Sequence, residues 1–182
     1  AIPNAKQSIN PALDNEGGLI FSATYSGNLT GKHHLVFRSR TNTPNPEFSV
    51  HTNPVGEVQD WRQDGKTSAL QYTGRLVAIP LPAGKYEFRR HIISEASGNT
   101  FETGIIQGYE FSVLPGKWVY LGNIHVILKP EASNRILIRT FITNEQFRDL
   151  PLFHSRFKNI WPSPVSPDGW LSPISAARTA LG

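Results

Sequence analysis

Five histidines, His33, His34, His51, His91 and His125, fall within or beside runs of alternating apolar and polar residues in a 182-residue chain that contains no Cys. Neutral imidazoles on adjacent strands of one face can converge on zinc or copper, and three within reach suffice. His33 and His34, however, point to opposite faces of any strand that holds them, and no His-x-His pair occurs. The expectation is therefore of solvated or hydrogen-bonded histidines, with no metal and no cofactor. Without Cys, thiol catalysis, disulfides and thiolate zinc sites are excluded outright.

A second chemistry-bearing group is the polar stretch Glu57-Val58-Gln59-Asp60-Trp61-Arg62-Gln63-Asp64-Gly65-Lys66. A large ring has no periodic reason to be buried there. Trp61 beside Asp60, Arg62 and Asp64 suits stacking on a sugar or a peptide, and these four are the expected binding residues. The competing reading makes Trp61 a plug for one open end of the fold. Glu57, Asp60 and Asp64 would make a glycosidase pair only at a particular separation, which the sequence does not reveal. The chain has no P-loop, no G-x-G-x-x-G after a strand, no H-E-x-x-H, no EF-hand loop and no G-x-S-x-G elbow. The expected role is non-catalytic, with two alternatives: a carbohydrate-binding module using loop tryptophans, and a metal-binding or hydrolytic protein using the strand histidines. Nucleic acid is not an expected partner. Arg38, Arg40 and Arg89-Arg90 offer charge, but Lys85-Tyr86-Glu87-Phe88 lacks the glycines of a base-stacking strand and puts Glu87 among its rings, and alternation assigns Tyr86 and Phe88 to the core.

The elements that must position these residues read as short strands. Alternation places Leu19, Phe21, Ala23 and Tyr25 on one face and Ser22 and Thr24 on the other. Residues 33–39 put Leu35 and Phe37 inward against His34, Val36 and Arg38, and with the preceding strand look like a hairpin. Further strands are expected at 48–51, 75–81, 85–93, 108–114, 117–128 and 135–142, making eight. In the second-to-last stretch of this series, residues 117–128, Trp118, Tyr120, Ile124, Val126 and Leu128 are expected on one face with a second apolar face behind, as in a central strand. Between residues 41 and 74 turn residues break every other run, so this is expected to be a long connection on which recognition would sit. Thr143 and Gln146 have capping-box spacing for one short helical segment, with Phe147 and Leu150 on one side and Pro151 ending the turn or opening another. Leu152, Phe153 and Phe157 then pack on the sheet. The expected fold is an all-β antiparallel sandwich of about eight strands with a short C-terminal helical segment. Residues 1–17 are expected as a flexible arm and 18–160 as the sandwich domain. Residues 161–182 are expected as a Pro- and Ser-rich tail anchored through Trp161, with the Pro-rich stretch 161–173 on an extended path.

Two turns are alike: Leu81-Pro82-Ala83-Gly84-Lys85-Tyr86 and Leu114-Pro115-Gly116-Lys117-Trp118. Each reads as a β-turn of a hairpin, with an aromatic entering the next strand. The stretches Ile79-Pro80-Leu81-Pro82-Ala83-Gly84-Lys85-Tyr86-Glu87-Phe88 and Phe111-Ser112-Val113-Leu114-Pro115-Gly116-Lys117-Trp118-Val119-Tyr120-Leu121-Gly122-Asn123-Ile124 resemble a pattern of uncharacterised bacterial envelope proteins and lipoproteins. Those are similar in turn to transthyretin-like and carboxypeptidase-regulatory-like sandwiches. The resemblance spans residues 75–129 and implies a seven- or eight-stranded sandwich at the cell envelope. It implies no catalytic residue.

Composition agrees with one globular domain: 18% of residues are charged, the formal net charge is +4, and no block of like charge marks a polyanion-binding tail. No apolar run reaches the roughly 18 residues of a membrane span. With no Met and an opening Ala1-Ile2-Pro3-Asn4, the chain is expected to be exported, the resemblance implies a bacterial periplasm or envelope as the destination, and a lipid anchor upstream of Ala1 is compatible with it. The expected partner is another envelope protein or a glycan.

Overall fold

A computed structural model describes residues 16–27, 31–41, 46–53, 55–63, 69–98, 100–102, 109–130, 136–157 and 174–181, with backbone alone at 59–63, 69–72, 129–130, 136–137 and 174–181. The elements are β1 (Glu16–Gly27), β2 (Lys32–Ser39), β3 (Glu47–His51), β4 (Val58–Gln63), β5 (Ala69–Pro82), β6 (Gly84–Ser94), β7 (Thr100–Glu102), β8 (Glu110–Val113), β9 (Trp118–Pro130), β10 (Ile136–Thr143), α1 (Gln146–Arg156) and β11 (Ile174–Leu181). They form two sheets, one ordered β11-β10-β9-β1-β5-β4 and the other β3-β2-β6-β7, with β8 also paired to β6. The fold is mostly β, an antiparallel-rich sandwich with one short helix. The exception among its pairings is β1 with β9, which run parallel.

Alternation along β1 and β2 does what the sequence leads one to expect. Leu19, Phe21, Ala23 and Tyr25 enter the space between the sheets, where they meet Leu35, Phe37, Phe88, Ile93 and Phe111. Phe37 stands 5.5 to 6.0 Å, centroid to centroid, from Phe21, Phe48, Phe88 and Phe111, within the range of favourable aromatic pairing.

The connections differ from expectation. β1 and β2 lie in different sheets, so they are not a hairpin. The same holds at both Pro-Gly turns, which carry the chain from β5 to β6 and from β8 to β9, each time from one sheet to the other. An aromatic after a sheet-crossing turn can enter either core: Tyr86 joins the one between the sheets, and Trp118 the one outside them.

β9 lies between β10 and β1, apolar on both faces, but its inward residues are not those a strict period of two selects. Between Ile20 and Ser22 the partner strand advances from Tyr120 to Asn123, one residue too many, and Gly122 takes φ +102° at that bulge. The extra residue reverses the parity. Val119 and Leu121 face inward before it and Ile124, Val126 and Leu128 after it, whereas Trp118 and Tyr120 lie on the outer face.

On that outer face α1 lays Phe153 and Phe157 against Ile20, Leu76, Ala78, Trp118 and Tyr120, giving a second core. Trp118 packs so closely over the Gly18 backbone that a Cβ there would fall 2.2 Å from its ring. The helix start is not the expected capping box. Thr143 stays in β10, opposite Asn123, and the side chain that accepts from the Gln146 N–H is Asn144, at 3.1 Å. Pro151 lies inside the helix, and Phe147 is 90% exposed while Leu150 packs inward, so the two do not share a face.

Glu16 and Gly17, expected in the arm, pair with Pro82 and Leu81 as the start of β1. In the tail, residues 174–181 form β11 on the edge of β10, whereas the Pro-rich stretch 161–173, expected on an extended path, lies outside the described residues. The rest of the arm, residues 1–15, and Trp161 lie outside the described residues.

Candidate functional site

The region from 41 to 74 is not one irregular connection. It contains β3, β4 and the first six residues of β5, 69–74, and Asp60, Trp61 and Arg62 sit in β4, opposite Tyr72, Gln71 and Leu70 of β5. The sequence of β4 does not read as a strand because it carries no repeating apolar period beyond Val58, and an end strand has no need of two apolar faces. It ends the order of its sheet, so one side of its backbone has no strand partner among the described residues. Asp64 and the side chains of the other three lie outside the described residues. Just before the strand, Glu57 receives a 2.7 Å ion pair from Arg156 of α1, which ties this edge to the helix.

The histidines separate into three places. His33 and His91 are fully buried between the sheets, their rings stacked at 5.3 Å and 12° with a 3.2 Å contact between Nδ1 and Nε2. Tyr25 packs on both, and its hydroxyl is hydrogen-bonded to Thr52. Burial, then the neighbouring His33 and His34, hold the His91 imidazole well below its ordinary pKa, and burial pushes the Tyr25 phenol up. His34 and His51 face each other on the outer surface of the smaller sheet, in register and T-shaped at 5.3 Å. His125 belongs to the other sheet, with Nδ1 bonded to the Thr24 hydroxyl at 2.7 Å and Nε2 to Ser26 at 3.3 Å. Among the described residues, no group of three or more His, Asp and Glu is arranged to hold a metal.

A buried polar file that sequence reasoning missed runs beside His125. Asp149 of α1, with no exposed surface, accepts from the hydroxyls of Ser22 at 2.5 Å and Tyr120 at 2.6 Å, and from Arg148 Nε at 2.9 Å. Asn123 Nδ2 donates to Ser22 and to Thr24, both at 3.0 Å, which links the carboxylate to His125. Burial and the Asp149 charge push the Tyr120 phenol far up. The only hint in the sequence was the polar alternate face Ser22, Thr24 and Ser26, opposite a run otherwise fit for a core. In chemical terms the file is a clamp: the carboxylate is spent on Ser22 and Tyr120, and the group orienting His125 towards Ser26 is a hydroxyl in the position where a Ser-His-acid triad has its carboxylate.

The smaller sheet's outer face carries a lattice of ion pairs. Glu87 receives Arg38 at 2.5 Å, Arg89 at 3.0 Å and Arg40 at 3.7 Å, while Arg90 reaches Glu47 at 3.4 Å. Arg89 and Arg90 both turn outward because β6 carries a bulge between its pairings with Val36 and Phe37. Tyr86 and Phe88 stay in the core.

No protein-family model matches the chain, and no curated protein does. Among solved structures, it is similar to a leucine-rich repeat protein from Bacteroides thetaiotaomicron, with 18% identity and a TM-score of 0.37. The match covers 66% of this chain and 15% of that one. No helix among the described residues is long and apolar enough to cross a membrane.

Proposed function

We propose that this protein is a non-catalytic binding or structural module of a bacterial cell envelope, and that it recognises a glycan or another envelope protein along β4. The observation that carries the reading is the position of Asp60, Trp61 and Arg62 on the end strand of the larger sheet. Such an edge offers main-chain donors and acceptors, and the residues on it include an aromatic and two of opposite charge, the residue types a sugar or an extended peptide uses. The non-catalytic part is supported by how the buried reactive groups are spent: Asp149, Ser22 and Tyr120 on one another, and His33 on His91. The envelope setting is supported by the resemblance of residues 75–129 to bacterial envelope sandwiches. Co-sedimentation with isolated cell-wall glycan, and crosslinking to detergent-solubilised envelope proteins, test it. Retention that falls in an Asp60→Ala, Arg62→Ala double variant is the expected result. Retention unchanged by that variant, or none with either preparation, overturns it.

A further inference from the structure

We propose that His34 and His51 form a two-imidazole site for a tetrahedral divalent ion of the zinc type. They are directly opposed on neighbouring antiparallel strands, the arrangement that brings two side chains closest across a sheet. Their ring centroids are 5.3 Å apart. With Zn–N bonds of about 2.0 to 2.1 Å, each ring centroid of a coordinated imidazole stands about 3.2 Å from the metal, and two such rings at a tetrahedral angle stand about 5.2 Å apart. The spacing is therefore already that of a ligated pair. Only reorientation of the rings out of their T-shape is required, and His51 is an exposed side chain free of core packing.

A second observation points the same way. Nδ1 of His34 is shielded from solvent and makes no hydrogen bond, an unspent ring nitrogen whose cost an inserted ion relieves. The His34 imidazole is also held below its ordinary pKa, by burial first, then by His51 and Lys32, and that of His51 by burial first, then by Arg75 and Lys32. Their lone pairs are thus available at neutral pH. The same two cations oppose a doubly charged ion, so binding is weak and exchangeable, with two coordination positions left for water or for a ligand from a partner. The site lies on the other sheet from β4 and does not depend on the recognition proposed there.

Zinc chloride titrated into the full chain by calorimetry, with imidazole signals followed by NMR, tests the assignment. The expected result is one ion per chain, shifts confined to His34 and His51, and loss of binding in His51→Gln and in His34→Gln, while His154→Gln binds as wild type. His51→Gln changes an exposed residue, and an unaltered melt shows that it folds. No binding up to millimolar zinc, or binding retained in both variants, overturns the proposal.

Discussion

A carboxylate with no exposed surface is tolerated only when every oxygen is answered, and Asp149 has three donors within 2.9 Å. Replacing it with Ala removes the acceptor that the Ser22 and Tyr120 hydroxyls and Arg148 Nε share. Asp149→Ala should lose about 3–5 kcal/mol in urea unfolding, with Asp149→Asn losing less because it keeps an acceptor. His91 supplies the pH dependence. Its folded pKa lies well below that of the unfolded chain, about 6.5, so as pH falls through that value the unfolded state takes up a proton that the folded state refuses. Stability is full above this window and declines below it, by at most about 1.4 kcal/mol per pH unit for this group. Unfolding measured from pH 7.5 to 5 should therefore be less steep in His91→Gln than in wild type. Little of this is legible in the sequence: alternation puts Ser22 and Thr24 on one face, but does not show that a helix more than a hundred residues later brings Asp149 to the first of them.

At the scale of elements, periodicity served wherever strands were regular and failed where a bulge shifted the parity. Phe21, Phe37 and Phe88 were assigned inward by alternation and lie there, since nothing interrupts β1, and β2 and β6 are regular up to those positions. Trp118 and Tyr120 were placed with Ile124 and Val126, and Gly122 separates them onto opposite faces. That glycine adopts a φ of +102°, which a side chain resists, so Gly122→Ala should cost about 1–3 kcal/mol in thermal unfolding. The helix offers a paired test of the outer core. Phe153, 1% exposed, should cost about 3–5 kcal/mol on truncation to Ala. Phe147, 90% exposed in the first turn of the helix, should change stability by less than about 0.5 kcal/mol as Phe147→Ser. Equal losses from the two would mean that α1 does not dock through the face described.

For the whole molecule, short strands bounded by Gly, Pro and Asn sufficed to place the chain among sandwiches, because that punctuation excludes alternating helices. The routing between the sheets was not legible, since a Pro-Gly turn in a hairpin and one that crosses sheets have the same local sequence. β4 was hidden for a related reason: end strands carry polar residues that read as loop. The recognition proposed for this edge is tested most directly by Trp61→Ala, measured twice, once as a thermal melt and once as retention on the glycan or envelope protein that the wild type holds. The account predicts a melt close to wild type with retention lost. A loss of about 3–5 kcal/mol, as truncating a buried aromatic brings, with retention unchanged in the fraction that stays folded, would contradict it and make Trp61 a plug of the fold.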